Sequence, residues 1–191
     1  MIPNSLIQKA RNFAYAQAEK YGTPALFHLE LANSKGQWLA EKLSADKEIV
    51  LVGTLLMDCM IGPAIQNREI AKHIDMSVSK TKELLNEFPD LSQETQQNIL
   101  HCVKQHHGTE KFFSLETEIC CNADCYRFAS VRGVIGGLTN PLGFSVDELV
   151  NLYLKKADEK WNALTLDICR NELEPQYNLI KKFLKQYEPG N

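Results

Sequence analysis

The chain has 191 residues, of which 44% are hydrophobic and 24% are charged, so its length and composition suit one globular domain with a sizeable core. Lys and Arg number 21 against 24 acidic residues, which gives a formal charge of −3. This balance supplies no general electrostatic reason to expect nucleic acid or an anionic membrane as a partner.

Apolar residues in the first half recur at helical spacing, and no alternating run of useful length indicates a strand. A helix over 5–21 ends at Gly22 and Pro24, and a second begins near Pro24 or Ala25 and runs to about Leu43. Ser44 is the predicted N-cap of a third helix, which runs to about Met60. Gly62-Pro63 breaks this helix, and residues 64–73 are either a loop or a short helix.

The second half continues the helical pattern. Ser77 or Ser79 leads into a helix through Leu85. In the helix 145–162, Ser145 and Glu148 have the spacing of a capping box. The other segments are a helix from about 91 to 107 ended by Gly108, a helix 116–130, a loop or tight bend at 132–143, and a helix 165–187. An all-α, single-domain helical bundle is predicted.

The cysteines and the N-terminus bear on location. The N-terminal segment lacks the basic and apolar regions of an export signal, and we count no run of 18 apolar residues. A cytoplasmic location and six reduced cysteines are therefore expected. Cys120, Cys121 and Cys125 cluster, but their spacing fits no common zinc finger, and we favour buried packing residues over a zinc site.

Two carboxylates lie on stripes that are otherwise apolar. Asp58 follows Leu51 and Leu55 at helical spacing, and Asp124 lies four residues before Phe128 on a similar stripe. A buried ionised carboxylate costs several kcal/mol unless it is paired, hydrogen-bonded or bound to metal. Two explanations stay open: a shared divalent metal ion, or carboxylates satisfied by helix caps or an arginine.

Two adjacent histidines end the helix that starts near residue 91. His106 follows Cys102 and Val103 on the inward face, and His107 borders the same interior. A single histidine on an apolar face is more often a hydrogen-bonded core residue than a ligand. A divalent metal would account for the buried histidines and carboxylates together.

Five segments resemble, in order, the motifs of the HD superfamily of metal-dependent phosphohydrolases. Each contains a histidine or aspartate of the pattern H…HD…D or of its additional histidines. The segments are FHLELANSKGQWLAEKL with His28, IVLVGTLLMDCMIG with Asp58, AKHIDMSVSKTKELL with His73, NILHCVKQHHG with His106 and His107, and ICCNADCYRFAS with Asp124.

The resemblance implies an HD-type bundle, with core motifs at about 24–130 and C-terminal helices at about 145–187 packed on them. It also implies a divalent ion (Mn, Mg, Zn, Ni or Fe), a metal-activated water as nucleophile, and a nucleotide or other small phosphate ester as substrate. Asp58 and Asp124 would be catalytic residues that anchor the ion. The implied first-metal ligands are His28, Asp58 and Asp124, and the second-metal ligands are Asp58, His73, His106 and His107.

One position departs from the family pattern, because Met57 replaces the histidine of the HD doublet. A thioether is a poor ligand for hard or borderline metals. The resemblance therefore leaves two alternatives to a phosphohydrolase: a degenerate domain that binds metal or nucleotide without catalysis, and a di-iron oxygenase on the same scaffold. A phosphate clamp is also needed, and its nearby candidates Lys111, Arg127 and Arg132 are each predicted to be solvated surface charges.

Overall fold

The fold is all α-helical in a computed structural model that describes residues 1–140 and 143–187. Within these ranges the chain forms ten α-helices, one 3-10 turn and no strand, so the predicted all-α class is confirmed. The helices are α1 (Asn4–Tyr21), α2 (Leu26–Leu43), α3 (Lys47–Leu56), α4 (Ile61–Gln66), α5 (His73–Leu85), α6 (Gln93–Lys104), α7 (Leu115–Ala129), α8 (Val131–Leu138), α9 (Val146–Ala163) and α10 (Asp167–Lys185), and the 3-10 turn covers Ile70–Lys72.

Helix α7 is the centre of the bundle. It packs against α2, α3, α6 and α9, and 11 of its 15 residues are buried. Its start is well defined, because the Ser114 side chain accepts a hydrogen bond from the Thr117 amide and Glu116 lies in the first turn. Every polar side chain on the inner faces of α7 is thereby carried into the interior.

Small side chains let α3, α6 and α7 approach closely. A Cβ atom on Gly53 of α3 would lie 2.6 Å from Cys102 Cβ on α6 and 2.8 Å from Cys120 Sγ on α7. All six cysteines are free and buried, and the burial of Cys120, Cys121 and Cys125 confirms that this cluster serves in packing. This approach brings the end of α3, where Asp58 follows, close to the other two helices.

The C-terminal helices pack on the rest of the bundle. Helix α9 lies along α7, and α10 contacts α7, α8 and α9. The predicted capping box of Ser145 and Glu148 is confirmed. The Asn122 side chain of α7 accepts hydrogen bonds from the amides of Thr165 and Leu166, both at 3.1 Å, and so holds the α9–α10 connection against the core.

Two predicted boundaries around α3 are wrong. The N-cap is Asp46, whose carboxylate accepts hydrogen bonds from the amides of Glu48 and Ile49. Ser44 has a φ of 56° and ends α2. Helix α3 stops at Leu56, short of Met60, so Asp58 lies in the turn that follows. Pro63 does not break the chain there, because it lies in the first turn of α4, where no amide donor is needed.

The ends of α5 and α6 also differ from prediction. Helix α5 begins at His73, earlier than Ser77 or Ser79, and α6 ends at Lys104. His106 and His107 therefore lie in the turn before Gly108, whose φ is 101°. The predicted ligands of the second-metal set thus lie at helix ends.

The prediction of a loop or bend over 132–143 is wrong for most of its length, because helix α8 covers Val131–Leu138; residues 141–142 lie outside the described residues. The glycines here make room for aromatic rings. A Cβ atom on Gly136 would lie 2.2 Å from a Phe27 ring carbon, and one on Gly137 would overlap the Tyr153 hydroxyl. Their occurrence reflects close packing more than turn geometry.

One stretch, Lys47–Gln66, is long and apolar enough to cross a membrane by length and composition alone. Most of it is buried against other helices, and the α-helix is interrupted after Leu56. This burial is typical of the core helix of a soluble protein.

Candidate metal centre

Four of the six predicted ligands come together at one end of the bundle. Asp58, His73, His106 and His107 each offer one ligand atom, and these atoms all lie within 4.8 Å of one another. They come from three places in the chain: the turn after α3, the start of α5 and the turn after α6. These four residues are called the metal cluster below.

Hydrogen bonds to backbone carbonyls fix the tautomers of two of its histidines. His73 Nδ1 lies 2.7 Å from the Ile70 carbonyl oxygen, and His106 Nδ1 lies 2.7 Å from that of Val103. Because a carbonyl oxygen only accepts, both Nδ1 atoms carry hydrogen. In the neutral rings Nε2 is then a free acceptor, which is the form that binds metal.

The free acceptors face a carboxylate oxygen. His73 Nε2 and His106 Nε2 lie 3.5 Å and 3.3 Å from Asp58 Oδ1. None of these three buried atoms has a hydrogen-bond partner among the described residues. Three acceptors that point at one another without a donor are costly unless a cation lies between them. The cluster therefore fits a divalent metal ion.

His107 completes the cluster at its half-buried edge. Its ring centroid lies 4.2 Å from that of His106 and 5.2 Å from that of His73. Burial lowers the pKa of His107 to about 3. The ring is thus neutral at neutral pH, as metal ligation requires.

A buried arginine donates a hydrogen bond to the second oxygen of Asp58. Arg127 Nη2 donates to Asp58 Oδ2 at 2.5 Å and also to Asp124 Oδ1, and Lys160 Nζ lies 2.5 Å from Asp124 Oδ2. Burial opposes ionisation of both acids, but Arg127 outweighs it and holds the pKa of each carboxyl below its usual range. The prediction of Arg127 as a surface charge is wrong, whereas Lys111 and Arg132 are exposed.

The other two predicted ligands, His28 and Asp124, lie outside the metal cluster. His28 is buried on α2, and its Nε2 donates to the Gly133 carbonyl oxygen at 2.9 Å. Burial lowers the pKa of His28 to about 4. The Asp124 oxygens face Arg127 and Lys160. Ligation by either residue stays a prediction.

His28 should make the stability of the metal-free protein depend on pH. Its pKa falls from 6.5 in the unfolded chain to about 4 in the fold, so between these values the unfolded chain binds the extra proton. As the pH is lowered through this window, the free energy of unfolding should therefore decrease, by up to about 3 kcal/mol from His28 alone. Urea unfolding of wild type and His28→Gln measures it.

Glutamine keeps a donor for the Gly133 carbonyl but does not titrate. The free energy of unfolding of wild type minus that of His28→Gln should decrease as the pH is lowered from 6.5 to 4. The contribution of His107 cancels in this difference, because both proteins contain it. A difference that is constant over this window would mean that His28 is not held neutral.

A cavity of about 370 Å³ leads to the metal cluster. Its polar wall includes Arg127, Lys156 and Lys160, and its apolar wall is formed by the side chains Ile61, Ile65, Ile70, Phe128, Phe144, Leu152 and Tyr153. A separate groove beside α5, lined by Met60, Lys80 and their neighbours, is open to solvent and lies away from the histidines. The first cavity combines cations with an apolar wall, which suits a small anionic organic molecule.

Sequence reasoning missed the partnership of Lys160 with Asp124, although a signal was present. Val150, Tyr153, Ala157 and Lys160 are spaced by three and four residues and are all buried on α9. A lysine on an apolar stripe needs a buried partner, just as Asp58 and Asp124 do. Arg127 carries the same signal, since it lies three residues after Asp124 in a buried helix.

No family model matches the sequence, and no curated protein matches it. Solved structures do. A predicted HD superfamily hydrolase from an uncultured Thermotogales bacterium superposes with a TM-score of 0.68 at 13% identity, over 94% of this chain and 89% of that one. An HD-superfamily hydrolase from Bacillus thuringiensis gives 0.65 at 17%, over 94% and 93%.

Bacillus subtilis YpgQ, solved in complex with ADP, gives a TM-score of 0.63 at 15% identity, over 95% of this chain and 94% of that one. At these identities the likeness concerns the fold. It extends over nearly the whole chain, C-terminal helices included. The chain has the fold of the HD superfamily hydrolases.

Proposed function

We propose that this protein is a metal-dependent phosphohydrolase that acts on a nucleotide or another small phosphate ester. The observation that carries the proposal is the set of three buried acceptors, Asp58 Oδ1, His73 Nε2 and His106 Nε2, which face one another without a donor. With His107 they offer four ligands of the kinds that Mn, Zn, Ni and Fe accept. The fold shared with hydrolases supports the same reading.

Each part of the cavity has a role in the proposal. A divalent ion in the metal cluster would supply Lewis acidity toward a phosphoryl oxygen and would acidify a water molecule. Lys156 lies on the cavity wall, where its ammonium group, paired with Glu159 at the half-buried edge, would attract phosphate oxygens. The apolar wall would exclude water and hold the organic part of the substrate. The ADP complex of YpgQ supports a nucleotide as that substrate.

Within this proposal Asp58 is the central catalytic residue, because its carboxylate contacts both the histidines and Arg127. The six buried free cysteines support a reducing compartment, and we place the protein in the cytoplasm. Met57 favours one alternative, a degenerate domain that binds metal or nucleotide without turnover. The di-iron alternative is disfavoured, because Arg127 lies between the two carboxylates.

The test begins with protein purified without chelator, whose bound metals are measured by mass spectrometry. Phosphate release is then followed with nucleoside mono-, di- and triphosphates and with an aryl phosphate, after EDTA treatment and after re-addition of each of Mn, Mg, Zn, Ni and Fe. We expect release with at least one metal and none after EDTA. Nucleotide binding without release would support the non-catalytic alternative, and absence of any bound divalent metal would contradict the proposal.

A further inference from the structure

Two buried carboxylates and two buried cations form one group beside the metal cluster. The side chains of Asp58, Asp124, Arg127 and Lys160 come from the turn after α3, from α7 and from α9, and their exposures are 4%, 0%, 4% and 1%. Their formal charges cancel. Ionised groups buried this deeply persist only when each has a partner, so the group is matched without any added ion.

The two oxygens of Asp58 have different surroundings. Oδ2 accepts a hydrogen bond from Arg127, whereas Oδ1 has no donor and faces two histidine acceptors. The Arg127 guanidinium therefore neutralises Oδ2, whereas no cation in the described part of the chain contacts Oδ1. Asp124 Oδ2 also has no hydrogen bond among the described residues, but the Lys160 ammonium group lies 2.5 Å from it. The demand for an added cation is therefore confined to the histidine side of Asp58.

The space between Asp58 and Asp124 is filled by the Arg127 guanidinium, which donates to both carboxylates. An ion bound there would have to displace a buried arginine or share its place with two fixed positive charges, and both are unfavourable. The other side chains nearby are Met57, a buried thioether, and His28, whose Nε2 donates to the Gly133 carbonyl, so the two carboxylates would be the main ligands of any ion bound there.

We propose that Arg127 and Lys160 take the place of a second metal ion, so that the site binds one divalent ion and is closed to another between Asp58 and Asp124. This inference rests on the proposed function, because it assumes that the metal cluster is loaded. Arg127 and Lys160 act here as positioning residues. They neutralise Asp124 and orient Asp58 so that only Oδ1 is presented to the ion.

The experiment counts Mn²⁺ ions bound per chain by equilibrium dialysis and metal analysis, and examines their electron paramagnetic resonance. Wild type, Met57→His and the double variant Arg127→Met/Lys160→Met are compared. We expect one isolated ion in wild type and also in Met57→His, since the guanidinium is still in place. The double variant should bind a second ion, show a spin-coupled pair, and gain more thermal stability from Mn²⁺ than wild type does.

The outcomes separate the two proposals. Two ions in wild type or in Met57→His would overturn the inference and leave the proposed function standing, as would a folded double variant that still binds one. Absence of any bound Mn²⁺ in wild type would overturn the proposed function and this inference with it. The wild-type and Met57→His measurements decide the question even where the double variant does not fold.

Discussion

Replacing Asp58 by asparagine should remove both metal binding and phosphate release. The substitution keeps the size of the side chain but takes away the negative charge that faces His73 and His106. Loss of residues that merely orient a ligand weakens metal affinity by about 10–100-fold, so loss of this ligand should weaken it by more than about 100-fold. Isothermal titration with Mn²⁺ and a phosphate-release assay measure the two effects.

The matched control is Asp75→Asn, which removes an exposed carboxylate from α5, two residues after His73. It should leave Mn²⁺ affinity and phosphate release near their wild-type values. Circular dichroism establishes that both variants are folded. Unchanged Mn²⁺ affinity in Asp58→Asn would show that the ion is held elsewhere.

Replacing Arg127 by methionine should strongly destabilise the metal-free protein. The substitution leaves Asp58 without a cation and leaves Asp124 with Lys160 alone, although both carboxylates stay buried. Removing one partner of a buried ion pair costs about 3–5 kcal/mol. Urea unfolding at neutral pH in EDTA measures the loss. The loss should diminish at lower pH, because the carboxylates left without Arg127 can then take up protons.

Arg132→Met is the control for this variant. Arg132 is exposed on α8, and its guanidinium carbon lies 5.5 Å from the centre of the Phe27 ring, so its loss should cost less than about 1 kcal/mol. Equal stability losses in the two variants would mean that the Arg127 ion pairs contribute little beyond an ordinary surface contact.

The fold class could be predicted because it depends on features that a sequence displays directly. Helical spacing of apolar residues and the Ser145–Glu148 capping box hold regardless of tertiary context. Helix ends were harder. Helices α3 and α6 both end several residues before the predicted positions, because apolar and ligand residues continue beyond the last helical turn to line the site.

The members of the metal cluster could be predicted from the sequence, but the different partners of Asp58 and Asp124 could not. Periodicity places Asp58 and Asp124 inside equally well. Which one faces histidines and which one faces cations depends on how α7 and α9 are packed, and a linear pattern does not contain this information. The explanation left open for an arginine partner applies to Asp124 and to one oxygen of Asp58, while the metal explanation suits the other oxygen.

The ion pair between Lys160 and Asp124 has a consequence for how the chain can be divided. Lys160 lies near the end of α9, beyond all five segments that resemble the HD motifs, yet its ammonium group neutralises a carboxylate at the centre of the bundle. A fragment truncated before α9 would keep every candidate ligand. It would nevertheless lose Lys160, so that Asp124 would be exposed on that side with Arg127 as its remaining cationic partner. The shortest fragment that can fold on its own is thus longer than the span of the five motif segments. The need to neutralise Asp124 sets its boundary as much as apolar contact does.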